Sequence, residues 1–209
     1  MEKSPYTLQK WDYIKNELEQ IDKHLKKTID IYLIGGCAMS YYGIKDATKD
    51  IDVLFKNKYD CADFFNAVTK LGFETAEQYF PPVVQMEATF FVNKEDEIWI
   101  DLFVKNVMNK FELSPSIQKR AVKTNLSIKK LNVYCLDPHD IFLFKSITPR
   151  ERDENDLILL LTKKSIDFSQ IHEEIRIQSK TFKDLKEAFN TKMKKLEEKG
   201  YHVEYIKIN

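Results

Sequence analysis

Two aspartates one residue apart, Asp50 and Asp52, follow a Gly35-Gly36 pair, and this short stretch constrains the chain more than anything else in its 209 residues. Ile31-Tyr32-Leu33-Ile34 leads into the glycines as a buried strand would. Met39 to Tyr42 reads as a short helix, and Ile51 to Phe55 as a second strand. Side chains in a strand alternate between faces, so Asp50 and Asp52 leave one face while Ile51, Val53 and Phe55 enter the other. Two adjacent carboxylates repel each other unless a cation lies between them, and hard oxygen ligands favour Mg²⁺ or Mn²⁺. Paired glycines let the backbone turn sharply and bring its N–H groups, at the start of a helix, close to an anion. The stretch therefore points to a metal and a phosphate held together, with Gly35, Gly36 and, one turn along, Ser40 toward the phosphate.

Two other readings stay open on these residues alone. One is a glycine turn followed by two surface aspartates. The other is the Asp-x-Asp of a nucleotide-sugar glycosyltransferase, which also binds a metal and a diphosphate but gives Gly35-Gly36 no use. Further along, Val84 to Val92 and Ile98 to Val104 read as an antiparallel hairpin, split by the polar run Asn93 to Glu97. Asp101 sits in the second arm between Ile100 and Leu102, an odd place for a charge unless something pairs with it. A second motif follows in an apolar setting: Lys145, then Arg150, Arg152, Asp153 and Asp156. Phosphate chains need cationic donors, and guanidinium groups bind them in bidentate fashion, which suits Lys145 and Arg152. Asp153 and Asp156 are also explained as acids stabilised by the first turns of a helix.

The rest of the chain supplies the frame. An amphipathic helix is expected from about Thr7 to Lys27, strands at Ile29 to Ile34, Leu126 to Ile128 and Val133 to Leu136, and helices at Tyr59 to Leu71 and Ser114 to Ala121. Asp137-Pro138 opens a run of helices to Glu198, with Val203 to Ile208 as a closing strand. This predicts an α/β (α+β) fold: a mixed-sheet core with its N-terminal helix over residues 1–136, and a mainly helical part over 137–209 that closes a cleft. Residues 1–110 hold 14 basic and 18 acidic side chains, and all four arginines fall later, a small difference that reads either as an acidic metal-binding half facing a basic phosphate-binding half or as chance. Net charge is zero, which removes any global signal for polyanion binding. Three widely spaced cysteines favour a reducing cytoplasm over a disulfide framework, and the histidines lack zinc-ligand spacing. The longest aliphatic cluster, Leu157 to Leu161, is too short to span a bilayer.

Gly35-Gly36 with Thr48-Lys49-Asp50-Ile51-Asp52 resembles the signature of nucleotidyltransferases of the DNA polymerase β superfamily. The later Lys145 to Asp156 motif resembles the second block of the AbiEii-like members. This likeness covers roughly Ile29 to Leu161. It implies Asp50, Asp52 and Asp101 as catalytic metal-binding acids, Mg²⁺ or Mn²⁺ as cofactor, and an NTP as donor, held by Gly35, Gly36, Ser40, Lys145 and Arg152. It leaves the acceptor open among tRNA, a protein and a small molecule, and it admits an antitoxin partner. One departure is visible: the family carries an arginine two residues before the threonine, where this chain has Asp46 next to Lys45. A binding module of the same fold without turnover is the alternative.

Overall fold

Ile14, Leu18 and Ile21 recur every three to four residues, so a helix through them carries one apolar stripe, and α1 (Trp11–His24) buries all three. The computed structural model describes residues 9–75, 88–93 and 98–207. Within them α1 starts later than the spacing suggests, because Gln9 exchanges both backbone hydrogen bonds with Thr48, at 2.7 and 2.9 Å. Thr7 and Leu8 lie outside the described residues. At the other end of α1, the buried Asp22 accepts N–H bonds from Lys129, Lys130 and Leu131, fixing where a distant strand begins.

The chain continues through β1 (Ile29–Leu33), α2 (Gly35–Tyr41), β2 (Asp50–Phe55), α3 (Lys58–Lys70), β3 (Glu74–Thr75), β4 (Ala88–Asn93) and β5 (Ile98–Val104). A two-stranded ribbon, β6 (Asn106–Val107) and β7 (Phe111–Glu112), precedes α4 (Pro115–Arg120), β8 (Val122–Lys123) and β9 (Leu131–Cys135). The main sheet has the order β3-β4-β5-β2-β1-β9-β8. Its β2–β5 and β1–β9 pairs are parallel and the rest antiparallel, so the sheet is mixed, as expected. The β4–β5 pair is the expected hairpin; residues 84–87 and 94–97 of that reading lie outside the described residues.

Helices α5 (Pro138–Ser146), α6 (Arg152–Lys163), α7 (Phe168–Gln178) and α8 (Leu185–Glu198) follow. Asp137 caps α5 as the sequence indicates, accepting from the His139 N–H at 3.0 Å with Pro138 in the first turn. Ile141, Phe142 and Leu143 are all fully buried, because α5 is covered by α2, α6, α7 and α8. Ion pairs then tie the helices to one another. Glu154 of α6 takes Lys195 of α8 at 3.2 Å and Lys199, the residue that ends that helix, at 2.6 Å, and Arg120 of α4 grips Asp140 of α5 and Glu174 of α7, each at 2.7 Å.

Two expected strands do not form. The edge partner of β9 is Val122–Lys123, and pairing ends where the Thr124 N–H reaches the Val133 carbonyl at 2.8 Å. Leu126 and Ile128, read as a strand from their apolar alternation, pack half-buried on the core outside any ladder. At the C-terminus, residues 201–207 have no regular structure, and Ile208 lies outside the described residues. Asn190 of α8 holds Ile206 there, donating to its carbonyl at 2.8 Å and accepting its N–H at 2.9 Å, so a side chain replaces the partner strand.

The β6–β7 ribbon carries unusual backbone. Lys105, Met108 and Asn109 all have positive φ, at 62°, 55° and 52°. Asn tolerates this region, but for a residue such as Met it costs about 1–2 kcal/mol. The geometry is held at both ends. Lys105 donates its N–H to Phe55 and accepts from the Leu113 N–H, each at 2.8 Å, while the Lys110 N–H closes the turn onto Val107 at 3.1 Å.

Candidate active site

Parallel pairing of β2 with β5 sets Asp52 directly beside Asp101 and Asp50 beside Trp99. Neighbouring strands lie about 4.8 Å apart, so alternation puts the three acids on one face of the sheet while Ile51, Val53, Ile100 and Leu102 bury the other. The glycines explain how the acids fit. Gly35 has φ +59°, and a Cβ there would sit 2.5 Å from Asp52 Oδ2; at Gly36 it would sit 2.3 Å from Thr48 Oγ1. Only glycine lets the Asp52 carboxylate rest against that backbone. Thr48 in turn donates its hydroxyl to the Asp50 carbonyl at 3.3 Å.

The acids are electrostatically uncomfortable. Burial and then repulsion from Asp50 push Asp52 up to about 7. Burial, then Asp52 and Asp50, raise Asp101 well above the usual carboxylate range. Asp50 is also raised by burial, against the opposing pull of Arg152 and Lys49. Among the described residues none donates a hydrogen bond or ion pair to these three carboxylates. Hard, crowded, undercompensated oxygens are the donor set a divalent cation suits. Among the described residues, however, no three His, Cys, Asp or Glu side chains are already gathered as a formed metal site.

All three acids line a cavity of about 590 Å³ whose other wall comes from α5, α6 and the segment joining them. That volume is on the scale of ligand pockets, roughly 300–1,000 Å³. Arg150, Arg152 and Lys145 all reach it, with Lys45, Lys49, Thr48 and Asn155. Their states differ. Lys145 is 9% exposed and its ammonium is engaged with Asp153 at 2.8 Å and Asp156 at 2.9 Å. Asp156 also takes Lys45 at 2.8 Å, and the Thr148 hydroxyl donates to Asp153. Arg150 and Arg152 are exposed and make no ion pair with a described residue. Their segment is nonetheless anchored, since the Arg150 carbonyl accepts from the buried Lys192 at 3.2 Å.

The structure therefore brings Asp50, Asp52, Asp101, Gly36, Lys145 and Arg152 to one cavity, with Gly35 under Asp52. Ser40 is not on its wall: it is 6% exposed and its Oγ has no partner among the described residues. Asp153 and Asp156, ambiguous in sequence, are the counter-ions of Lys145. Arg150 was visible in the motif, yet nothing in sequence marked it as the freer cation. Lys45, in the departing link, reaches across to α6. No signal pointed to Met108 or Phe144, which add an apolar stretch to the wall.

A family model described as a nucleotidyltransferase of unknown function (DUF6036) matches residues 9–205. No curated protein matches the chain significantly. Among solved structures, an antigenic nucleotidyltransferase-like protein from Paracoccidioides brasiliensis is similar with a TM-score of 0.41 and 17% identity, covering 88% of this chain and 94% of that one. Likeness this loose assigns no residue. No helix among the described residues is long and apolar enough to cross a membrane.

Proposed function

Because the chain belongs to the family of nucleotidyltransferases of unknown function, we propose that it moves a nucleoside monophosphate from an NTP to an acceptor and releases pyrophosphate. The observation that carries this reading is the register of Asp52 beside Asp101, in a cavity that also holds two arginines without ion pairs among the described residues. Asp50, Asp52 and Asp101 would hold Mg²⁺ or Mn²⁺. A bound divalent ion supplies Lewis-acid stabilisation of charge on the phosphoryl oxygens. The protein's own part is positional and electrostatic. Arg150 and Arg152 are free to grip phosphate oxygens in bidentate fashion. Asp101, set beside Asp52 by the strand register, would either orient the acceptor hydroxyl or receive its proton as that oxygen attacks the α-phosphorus and the bond to the bridging oxygen breaks. Lys145 acts here as the post that keeps α6 and the arginine segment in place, rather than as a free phosphate ligand. The acceptor would be tRNA, a protein or a small molecule, and an AbiEii-like, toxin-type role with an antitoxin partner is part of the same proposal.

A second reading, a nucleotide-binding module without turnover, is favoured by the acids not being gathered as a formed metal site. Incubating the protein with each α-labelled NTP, Mg²⁺ or Mn²⁺ and cell extract separates the two. Label transfer with pyrophosphate release supports the enzyme. A metal-dependent thermal shift with NTP but no transfer to any acceptor pool leaves only the module.

A further inference from the structure

The cavity has a second chemical character that phosphate and metal leave unused. Beyond Asp101 along β5, its wall turns apolar through Phe103, Val107, Met108 and Phe144. Phe144 is braced edge-on by Phe111 at 5.5 Å, so that side of the cavity is firm. Met108 is the exception in how it gets there. It stands at φ 55°, followed by Asn109 at 52°, in a turn closed by the Lys110 N–H on Val107. A chain choosing freely would place glycine or asparagine at both central positions of such a turn. Strained backbone persists where its surroundings over-determine it, and here the strained residue is also a cavity-lining one.

We infer that Met108, with Phe144 behind it, is the platform on which the base of the nucleotide rests, so that the β6–β7 turn reads the nucleobase while Arg150 and Arg152 hold the phosphates. This rests on the nucleotidyl-transfer reading and deepens it. The occupant follows from continuity: an apolar wall in the same cavity as clustered acids and two guanidiniums that make no ion pair with a described residue matches a ligand with a flat ring at one end and a phosphate chain at the other. A thioether is soft and polarisable, and packs well against an aromatic face. Contact with a ring face discriminates by area rather than by hydrogen bonds, so the platform favours purines over pyrimidines without separating adenine from guanine. Asn155, an uncharged side chain on the same cavity that both donates and accepts, adapts to either edge.

The test uses Met108→Gly, which suits the positive φ while deleting the platform, and Met108→Leu, which keeps an apolar surface. ATP, GTP, CTP, UTP and inorganic tripolyphosphate are titrated calorimetrically in Mg²⁺. The expected result is roughly tenfold weaker binding of the purine NTPs to Met108→Gly, a smaller loss for the pyrimidines, and unchanged tripolyphosphate affinity. Met108→Leu retains most of the NTP affinity. Unchanged NTP binding in Met108→Gly overturns the platform while leaving the phosphate site standing. An equal loss of tripolyphosphate overturns it too, because the turn then only supports the cavity. If wild-type protein binds neither NTP nor tripolyphosphate, the nucleotidyl-transfer reading falls, and the inference with it.

Discussion

The sheet wall of the cavity carries Asp50, Asp52 and Asp101; the helix wall carries Lys145, Asp153 and Asp156, joined by Lys45. Both sets are charged, recessed and close together, yet their environments act in opposite directions. On the helix wall each charge has a partner within 3 Å, so the lysines hold Asp156 below the usual carboxylate range, and the two acids hold Lys145 above that of a free lysine against the cost of its burial. On the sheet wall the acids have each other, and all three are pushed up. Charge that is already compensated is scaffold. Charge held together with too little compensation from the described residues has been kept against its own stability, and the expectation is that a ligand supplies what is missing.

The largest expected effect tests the sheet wall. Asp52→Asn keeps shape and removes one charge, so nucleotidyl transfer should fall on the order of 10²–10³-fold, the scale of losing one strong electrostatic stabiliser. Its folded stability should stay the same or rise. A variant that transfers normally would put the uncompensated acids outside the chemistry. The helix wall should behave in the reverse sense. Lys145→Ala strands Asp153 and Asp156, and breaking a buried pair by removing one partner costs about 3–5 kcal/mol, read as a shifted denaturant midpoint. Lys45 still reaches Asp156, which places the loss toward the lower end. A Lys145→Ala protein of wild-type stability with weakened NTP binding would return the lysine to the phosphate-binding role its motif implies.

Arg150 and Arg152 belong to neither cluster, and each should be separable from the fold. Replacing either by Ala should weaken NTP binding by about 1–3 kcal/mol, the range for a charge-assisted hydrogen bond, with stability altered by no more than about 0.5 kcal/mol. Calorimetry on both variants checks this. If neither changes affinity, the exposed guanidiniums are solvated surface.

This contrast marks how far sequence carries. Alternation placed Asp50 and Asp52 on one face, and Asp101 betrayed itself as a charge in an apolar run, because strand geometry is local and has a period of two. The helical run after Pro138 was equally readable from its cap and spacing. Which cations are already spent was not readable, since that depends on pairs such as Lys45 with Asp156, 111 positions apart. Leu126 to Ile128 failed for a related reason: apolar alternation shows that a segment packs, while a strand also needs a free edge, and the edge of β9 was taken by Val122–Lys123. Met108 gave no signal at all, because a left-handed methionine is imposed by the contacts at both ends of its ribbon rather than by its own preference.

The smallest expected effect is the most specific, because it concerns the pH at which the two walls respond. Asp52 titrates near 7 when folded and near the ordinary carboxylate value of about 3.9 when unfolded. Between those values the folded state holds the proton more tightly, so raising the pH through this window removes stability; above about 7 the loss is constant. Asp156 has the opposite sign. Its folded pKa is depressed, so its contribution is present above about 3.9 and lost only as pH falls below that. Asp140, raised to about 6 by burial, also loses stability with rising pH, and His139, raised by its bond to Asp137, loses it above about 6.5. Both are common to wild type and Asp52→Asn and drop out of the difference between them. That difference in melting temperature should therefore be near zero at pH 4 and grow in favour of the variant as pH rises through 7, with Asp101, which the Asp52 charge helps push up, adding to it at higher pH, at about 2–4 °C for each kcal/mol. Mg²⁺ binding must displace the same proton, so the wild-type Mg²⁺ shift should shrink over the same interval as pH is lowered. A difference that is flat from pH 4 to 7 would mean that Asp52 is ionised throughout, already compensated like the acids on the helix wall.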